Sequence, residues 1–108
     1  MISKQDIDRI SEGWVNAFSV DPYVLKQRDM DAWHELDGLI YDRPQDALLV
    51  LEKIAETDLI NWTFEGLAVG PLRTFLMNYG DRYGEELGAI RRRSKAFDEM
   101  HTMATEGM

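Results

Sequence analysis

The side chains best suited to hold a metal ion lie around His34. On a helix, Asp31, His34 and Glu35 share one side, and Asp37 lies one turn from His34. Zinc and iron sites draw two or three such ligands from different elements, but the second histidine, His101, falls in a C-terminal turn that we expect to fray. A solvated acidic helix face explains the same residues. We therefore predict no metal and no other cofactor, with a metal-dependent enzyme using His34 and nearby carboxylates as the alternative.

Carboxylate pairs are the other groups that could perform catalysis. Glu85 with Glu86, and Asp29 with Asp31, could act as general acid and base. Neighbouring charges on a helix usually face water, however, and the sequence lacks cysteine, a nucleophile-elbow serine motif, a Walker loop and a His-Glu-x-x-His motif. We predict a protein that is not an enzyme and has no catalytic residues.

One basic cluster could contact phosphate: Arg91, Arg92, Arg93 and Lys95. Arginines at the end of a helix also interact favourably with the helix dipole. The net charge of −8 opposes nucleic-acid binding, which normally requires a clustered basic surface. Nucleic-acid contact through this cluster is therefore a second, less favoured alternative.

The acidity is concentrated in the first three-fifths of the chain. Residues 1–65 contain 14 acidic and 6 basic side chains, whereas residues 66–108 contain six of each. Acidic surfaces steer basic partners towards them. We therefore expect a protein–protein interaction module, such as an inhibitor, an immunity-type protein or an adaptor. Its basic protein partner would bind the carboxylates that follow residue 28, namely Asp29, Asp31, Glu35, Asp37 and Asp42.

Length and composition predict a single helical domain over residues 1–108, with a frayed tail at about 104–108. The first eight residues lack the apolar core of a secretory signal, and no apolar run approaches the ~20 residues that span a bilayer. A cytoplasmic protein without a membrane partner is expected. The oligomeric state is left open.

Apolar spacing predicts an all-α fold, a compact stack of five to seven short helices arranged as antiparallel hairpins. Helices two to five are compatible with two HEAT-like pairs. The expected helices cover about 5–18, 31–41, 44–56, 59–69, 71–79 and 81–93, with a last short helix after Ser94. Ser3 should cap the first helix, and each proline should start a helix. The inward positions of the first three helices are Ile7, Ile10, Trp14, Phe18, Trp33, Leu36, Ile40, Ala47, Leu48, Leu51, Ile54 and Ala55.

The segment 59–69 is apolar nearly all round and should form the most buried helix. A strand is the alternative, because Ile60, Trp62 and Phe64 alternate. Gly66 and Gly70 should allow close approach of another helix. Each of the three tryptophans should be a core residue.

The pattern of apolar and glycine positions over about residues 31–103 resembles a family of short bacterial helical proteins classed as a domain of unknown function. In that family a histidine usually precedes the final glycine of the segment 68–80, where this chain has Tyr79. The resemblance implies an all-helical fold and a bacterial or phage origin, and it implies no activity. The residues that carry it are Trp33-x-x-Leu36-x-x-Leu39-Ile40, Pro44-x-x-Ala47-Leu48-x-x-Leu51-x-x-Ile54 and Leu67-Ala68-x-Gly70-Pro71-Leu72-x-x-x-Leu76, with Gly80.

Overall fold

A computed structural model describes the chain over residues 2–19, 27–57 and 61–106, with side chains over 2–17, 31–57 and 63–106. Within these ranges every regular element is a helix, which confirms the all-α prediction. The elements are α1 (Lys4–Ser19), α2 (Gln27–Asp42), α3 (Pro44–Glu56), α4 (Asn61–Leu67), a π-helical turn (Ala68–Leu72), α5 (Arg73–Tyr79), α6 (Gly84–Arg93) and α7 (Lys95–Thr105).

The chain divides into two compact units, Met1–Ile54 and Ala55–Met108. The first unit contains α1, α2 and most of α3, and the second contains the remaining helices. The single-domain organisation stays a prediction.

Two predicted helix starts are fixed by serine caps. The Ser3 hydroxyl accepts the backbone N–H of Asp6 at 3.1 Å, and the Ser94 hydroxyl accepts that of Phe97 at 3.2 Å. Each bond satisfies one N–H that has no partner inside its helix. The start of α3 at Pro44 is also as predicted, whereas α2 begins at Gln27, earlier than expected, and α6 begins at Gly84, later than expected.

Helices α1, α2 and α3 each bury one apolar face. Helices α1 and α2 pack along each other, with Ile10 and Trp14 buried on one side and Leu36 and Ile40 on the other. The predicted inner face of α3 is confirmed in full, because each of its members is at most 3% exposed: Ala47, Leu48, Leu51, Ile54 and Ala55.

Trp33 is not the core residue that its spacing suggested. The buried row of α2 is Ala32, Leu36 and Ile40, at positions i, i+4 and i+8, and Trp33 is turned about 100° from Ala32. Trp33 is 38% exposed, and its ring stacks on that of Trp14 with 5.9 Å between centroids. Of the three tryptophans, only Trp14 is confirmed as a core residue, since the Trp62 side chain lies outside the described residues.

Pro71 does not begin a new helix. Helices α4 and α5 are joined without a break by the π-helical turn, inside which Pro71 lies. The Arg73 N–H bonds to the Ala68 carbonyl five residues back. A proline has no N–H and clashes with the carbonyl four residues earlier in an α-helix, and the wider turn accommodates both defects. The prediction of two helices separated at Gly70 is therefore wrong.

Over residues 63–79, where its side chains are described, the continuous helix 61–79 has one buried face and one exposed face. Thr63, Leu67 and Ala68 are fully buried, whereas Glu65 is exposed and Val69 is 48% exposed. The expectation of burial nearly all round is wrong. The strand alternative fails for residues 61–64, which are helical, and residues 58–60 lie outside the described chain.

A side chain would collide with the backbone at Gly80 and not at Gly70. A Cβ at Gly70 would meet no described atom within 4 Å, so the predicted close approach is wrong there. A Cβ at Gly80 would lie 2.5 Å from the carbonyl oxygen of Leu76. Gly80 has a helical backbone, with φ of −55°, so it is the absence of a side chain that this position requires.

The tail expected from about residue 104 is helical at its start. Helix α7 continues to Thr105, and Ala104 is fully buried. The Arg73 guanidinium donates to the carbonyl of Ala104 at 3.0 Å and to that of Glu106 at 2.9 Å. This side chain satisfies carbonyls at the end of α7 that have no helical partner, which is why the predicted fraying at 104–106 is not observed.

Replacing Gly80 with alanine should lower the free energy of unfolding by about 1–3 kcal/mol, because the added methyl group collides with the backbone of α5. Urea unfolding followed by circular dichroism measures the change. Gly88→Ala is the matched control in α6. Its methyl group would lie 3.5 Å from the mobile end of Arg92, and we expect a gain of about 0.5–1 kcal/mol. Equal stability of the two variants would contradict the close contact at Leu76.

Candidate functional site

The predicted partner-binding carboxylates of α2 fall on two different flanks of the helix. At 3.6 residues per turn, Asp31, Glu35 and Asp42 follow one line along the axis, which we call the carboxylate row. Asp37 lies on the opposite flank of the exposed side. All four side chains are exposed. The Asp29 side chain lies outside the described residues, so its predicted role stays a prediction.

Glu35 is already engaged by a cation of α1. The Arg9 guanidinium donates to both oxygens of the Glu35 carboxylate, at 2.8 and 2.9 Å, and also bonds to Asp6 at 3.3 Å. The hydrogen bond with Glu35 raises the pKa of Arg9 above its ordinary value. Arg9 is 53% and Glu35 42% exposed, so solvent screens the pair to about 0–1 kcal/mol. Arg9, which lies outside the acidic segment in the sequence, therefore compensates part of the negative charge of α2.

Asp46 is the acidic residue of this region whose side chain is buried. It is 7% exposed, pairs with Arg43 at 2.7 Å and accepts the backbone N–H of Ile2 at 3.3 Å. The carboxylate lies in the first turn of α3, where the helix dipole favours a negative charge. Asp46 therefore holds the start of the chain against α3.

The other exposed flank of α2 carries two aromatic side chains that the sequence analysis did not assign to a surface. Trp33, Asp37 and Tyr41 recur at i, i+4 and i+8, and we call them the aromatic stripe. Trp33 is 38% and Tyr41 51% exposed. The signal that could have identified the stripe is the row Ala32, Leu36 and Ile40, since centring the buried face on that row turns the stripe outward.

The proposed metal ligands around His34 do not form a cluster. His34 is exposed on α2, and Glu35 is hydrogen-bonded to Arg9. Among the described residues, no three His, Asp or Glu side chains come together in a group that could hold a metal ion. The paired acids Glu85 and Glu86 are exposed in the first turn of α6.

The basic cluster of Arg91, Arg92, Arg93 and Lys95 is exposed at the junction of α6 and α7. The acidic side chain of Asp98 lies beside this cluster, a contact that the sequence spacing does not indicate. Arg91 donates to the carboxylate of Asp98 at 2.7 Å. Part of the positive charge that would attract phosphate is therefore compensated within the protein.

His101 lies within α7 and is only partly exposed, contrary to the frayed turn that we expected. Burial lowers the pKa of its imidazole below the ordinary 6.5, and the positive charge of Arg91 lowers it further. The carboxylate of Asp98 opposes this shift. The folded protein therefore favours the neutral form of His101.

Comparison with known proteins gives no match to a protein-family model, to a curated protein or to a solved structure. The resemblance to a bacterial helical family stays an expectation. No helix in the described parts of the chain is long and apolar enough to cross a membrane.

The lowered pKa of His101 predicts a pH dependence of stability. Above pH 6.5 the imidazole is neutral in both states, and this stabilising preference is fully present. As the pH falls below 6.5, the unfolded chain takes up the proton first, and stability is lost until the folded-state pKa has been passed. Melting temperatures from pH 8 to pH 5 should fall more steeply for the wild type than for His101→Gln. Parallel curves for the wild type and His101→Gln would contradict the assignment.

Proposed function

We propose that this chain is a non-enzymatic protein-interaction module that binds a basic protein through the exposed side of α2. One observation carries the proposal. The exposed part of α2 presents the aromatic stripe, which includes Asp37, on one flank and the exposed carboxylates Asp31 and Asp42 on the other. Tryptophan and tyrosine are among the residues that contribute most binding energy at protein interfaces, and carboxylates around them would attract a basic partner.

The packing of α2 on its buried side favours binding of a partner without rearrangement of the helix. Ala32, Leu36 and Ile40 anchor α2 on its buried side, and the Arg9–Glu35 pair joins its flank to α1. The backbone of a helix that is fixed in this way has little freedom to lose on binding. A partner could therefore bind the surface as it stands.

The two alternative functions receive less support from the contacts. A metal-dependent enzyme using His34 and nearby carboxylates has Glu35 among its candidate ligands, and both oxygens of Glu35 accept hydrogen bonds from Arg9. A nucleic-acid contact through the basic cluster would compete with Asp98 for Arg91. Both remain open to test, by metal analysis of the purified protein and by a salt-dependent mobility-shift assay.

The proposal is tested on a partner captured from the native host and identified by mass spectrometry. The variant carries Asp31→Lys, Asp37→Lys and Asp42→Lys and keeps Glu35, so that the Arg9–Glu35 pair is retained. The association rate should fall at least about tenfold at 0.1 M salt, because the steering charge is reversed. The difference should shrink at 1 M salt, where the Debye length falls from ~10 Å to ~3 Å.

A matched control makes the same change in net charge in the second unit, with Asp81→Lys, Glu99→Lys and Glu106→Lys. These three side chains are also exposed. Stopped-flow kinetics with the captured partner should give a much smaller effect for the control. If both triple variants associate at the same rate, net charge rather than the α2 surface governs the encounter, and the proposed docking site is wrong.

A further inference from the structure

We propose that the aromatic stripe of α2 selects arginine, so that the basic partner presents a helix with arginines four residues apart. The inference rests on the proposed function and specifies the chemistry of its partner. It concerns Trp33, Asp37 and Tyr41, whereas charge steering also involves Asp31 and Asp42.

The stripe has the repeat of a helical ridge. Trp33 and Tyr41 are eight residues apart on a regular helix, which places their Cα atoms about 12 Å apart, with Asp37 about 6 Å from each. A second helix with side chains at i, i+4 and i+8 has the same repeat. Rows of residues four apart are the ridges through which helices commonly pack. The spacing therefore fits a helical partner.

The alternation of ring, carboxylate and ring is suited to guanidinium groups. A guanidinium stacks on the face of tryptophan or tyrosine and binds a carboxylate through two parallel hydrogen bonds. A lysine ammonium is a compact, strongly hydrated charge that cannot form the paired hydrogen bonds. Both cations respond to the negative charge of α2, but the stripe adds contacts that favour arginine.

The orientation of Trp33 is set before a partner arrives. Its ring stacks on that of Trp14 with an interplanar angle of 28°, and Trp14 is itself 1% exposed. The buried ring limits the rotation of Trp33, while 38% of Trp33 remains exposed. A ring held in place has less conformational freedom to lose on binding.

The experiment uses helical peptides of equal length and charge. One carries arginines at i, i+4 and i+8, a second has lysines at the same positions, and a third has the same arginines spread around the helix. Binding to the intact protein is measured by calorimetry at low salt. The wild type should bind the first peptide about tenfold more tightly than either of the others.

Substitutions in the stripe should remove this preference. Tyr41→Ser and Asp37→Asn should each bring the affinities for the arginine and lysine peptides closer together, whereas Tyr41→Phe, which keeps the ring, should preserve the preference. Met77→Ser removes a side chain that is 71% exposed in α5 and serves as the control, with no change expected. Circular dichroism of each variant verifies that the helices are intact.

The outcomes separate this inference from the proposed function. Equal affinity of the wild type for the arginine and lysine peptides, lost in the Asp31, Asp37 and Asp42 reversal, would overturn arginine selection and leave charge-steered docking standing. Failure of all three peptides to bind would also overturn the inference, and the proposed function would then be judged on the captured partner alone. Binding by the spread-arginine peptide equal to that of the first would refute the helical spacing.

Discussion

The packing of α2 on α1 is the constraint on which the candidate surface depends. Burial of Ala32, Leu36 and Ile40 removes apolar side chains from water and fixes the rotation of α2 about its axis. Once that rotation is set, Trp33, Asp37 and Tyr41 must lie on one exposed flank and the carboxylate row on the other. A rotation of α2 by about 100° that turned the stripe towards α1 would bury its side chains and remove them from solvent.

Sequence patterns predicted the elements whose determinants are local. The Ser3 and Ser94 caps and the Pro44 start each depend on residues within a few positions of the helix end, and α3 has an apolar stripe long enough to define its inner face. The prediction that a new helix starts at Pro71 was wrong for a physical reason. Proline normally ends a helix because of its missing N–H and its ring, but a π-helical turn satisfies both constraints and allows the helix to continue.

The candidate site was only partly predictable, because its charges are paired through space. Arg9 and Glu35 are 26 positions apart in the chain, and Ile2 reaches Asp46 across 44 positions. The pattern of neighbouring residues in the sequence does not predict contacts between positions so far apart. The prediction that Trp33 is a core residue was wrong for a different reason. The spacing of Trp33 from Leu36 and Ile40 fits an inward face as well as the spacing of Ala32 does. Only the contact with α1 decides between two faces that differ by about 100°.

The buried face of α2 and its proposed binding surface lie on different sides of the helix, and Trp33 lies between them. Asp37 and Tyr41 are exposed, whereas Trp33 shares its ring contact with buried Trp14. Removing Trp33 would therefore alter both the aromatic stripe and the packing beneath it, and its effect on binding could not be separated from an effect on stability. Substitutions at the exposed positions Asp37 and Tyr41 are therefore better tests of the proposed recognition than a substitution at Trp33.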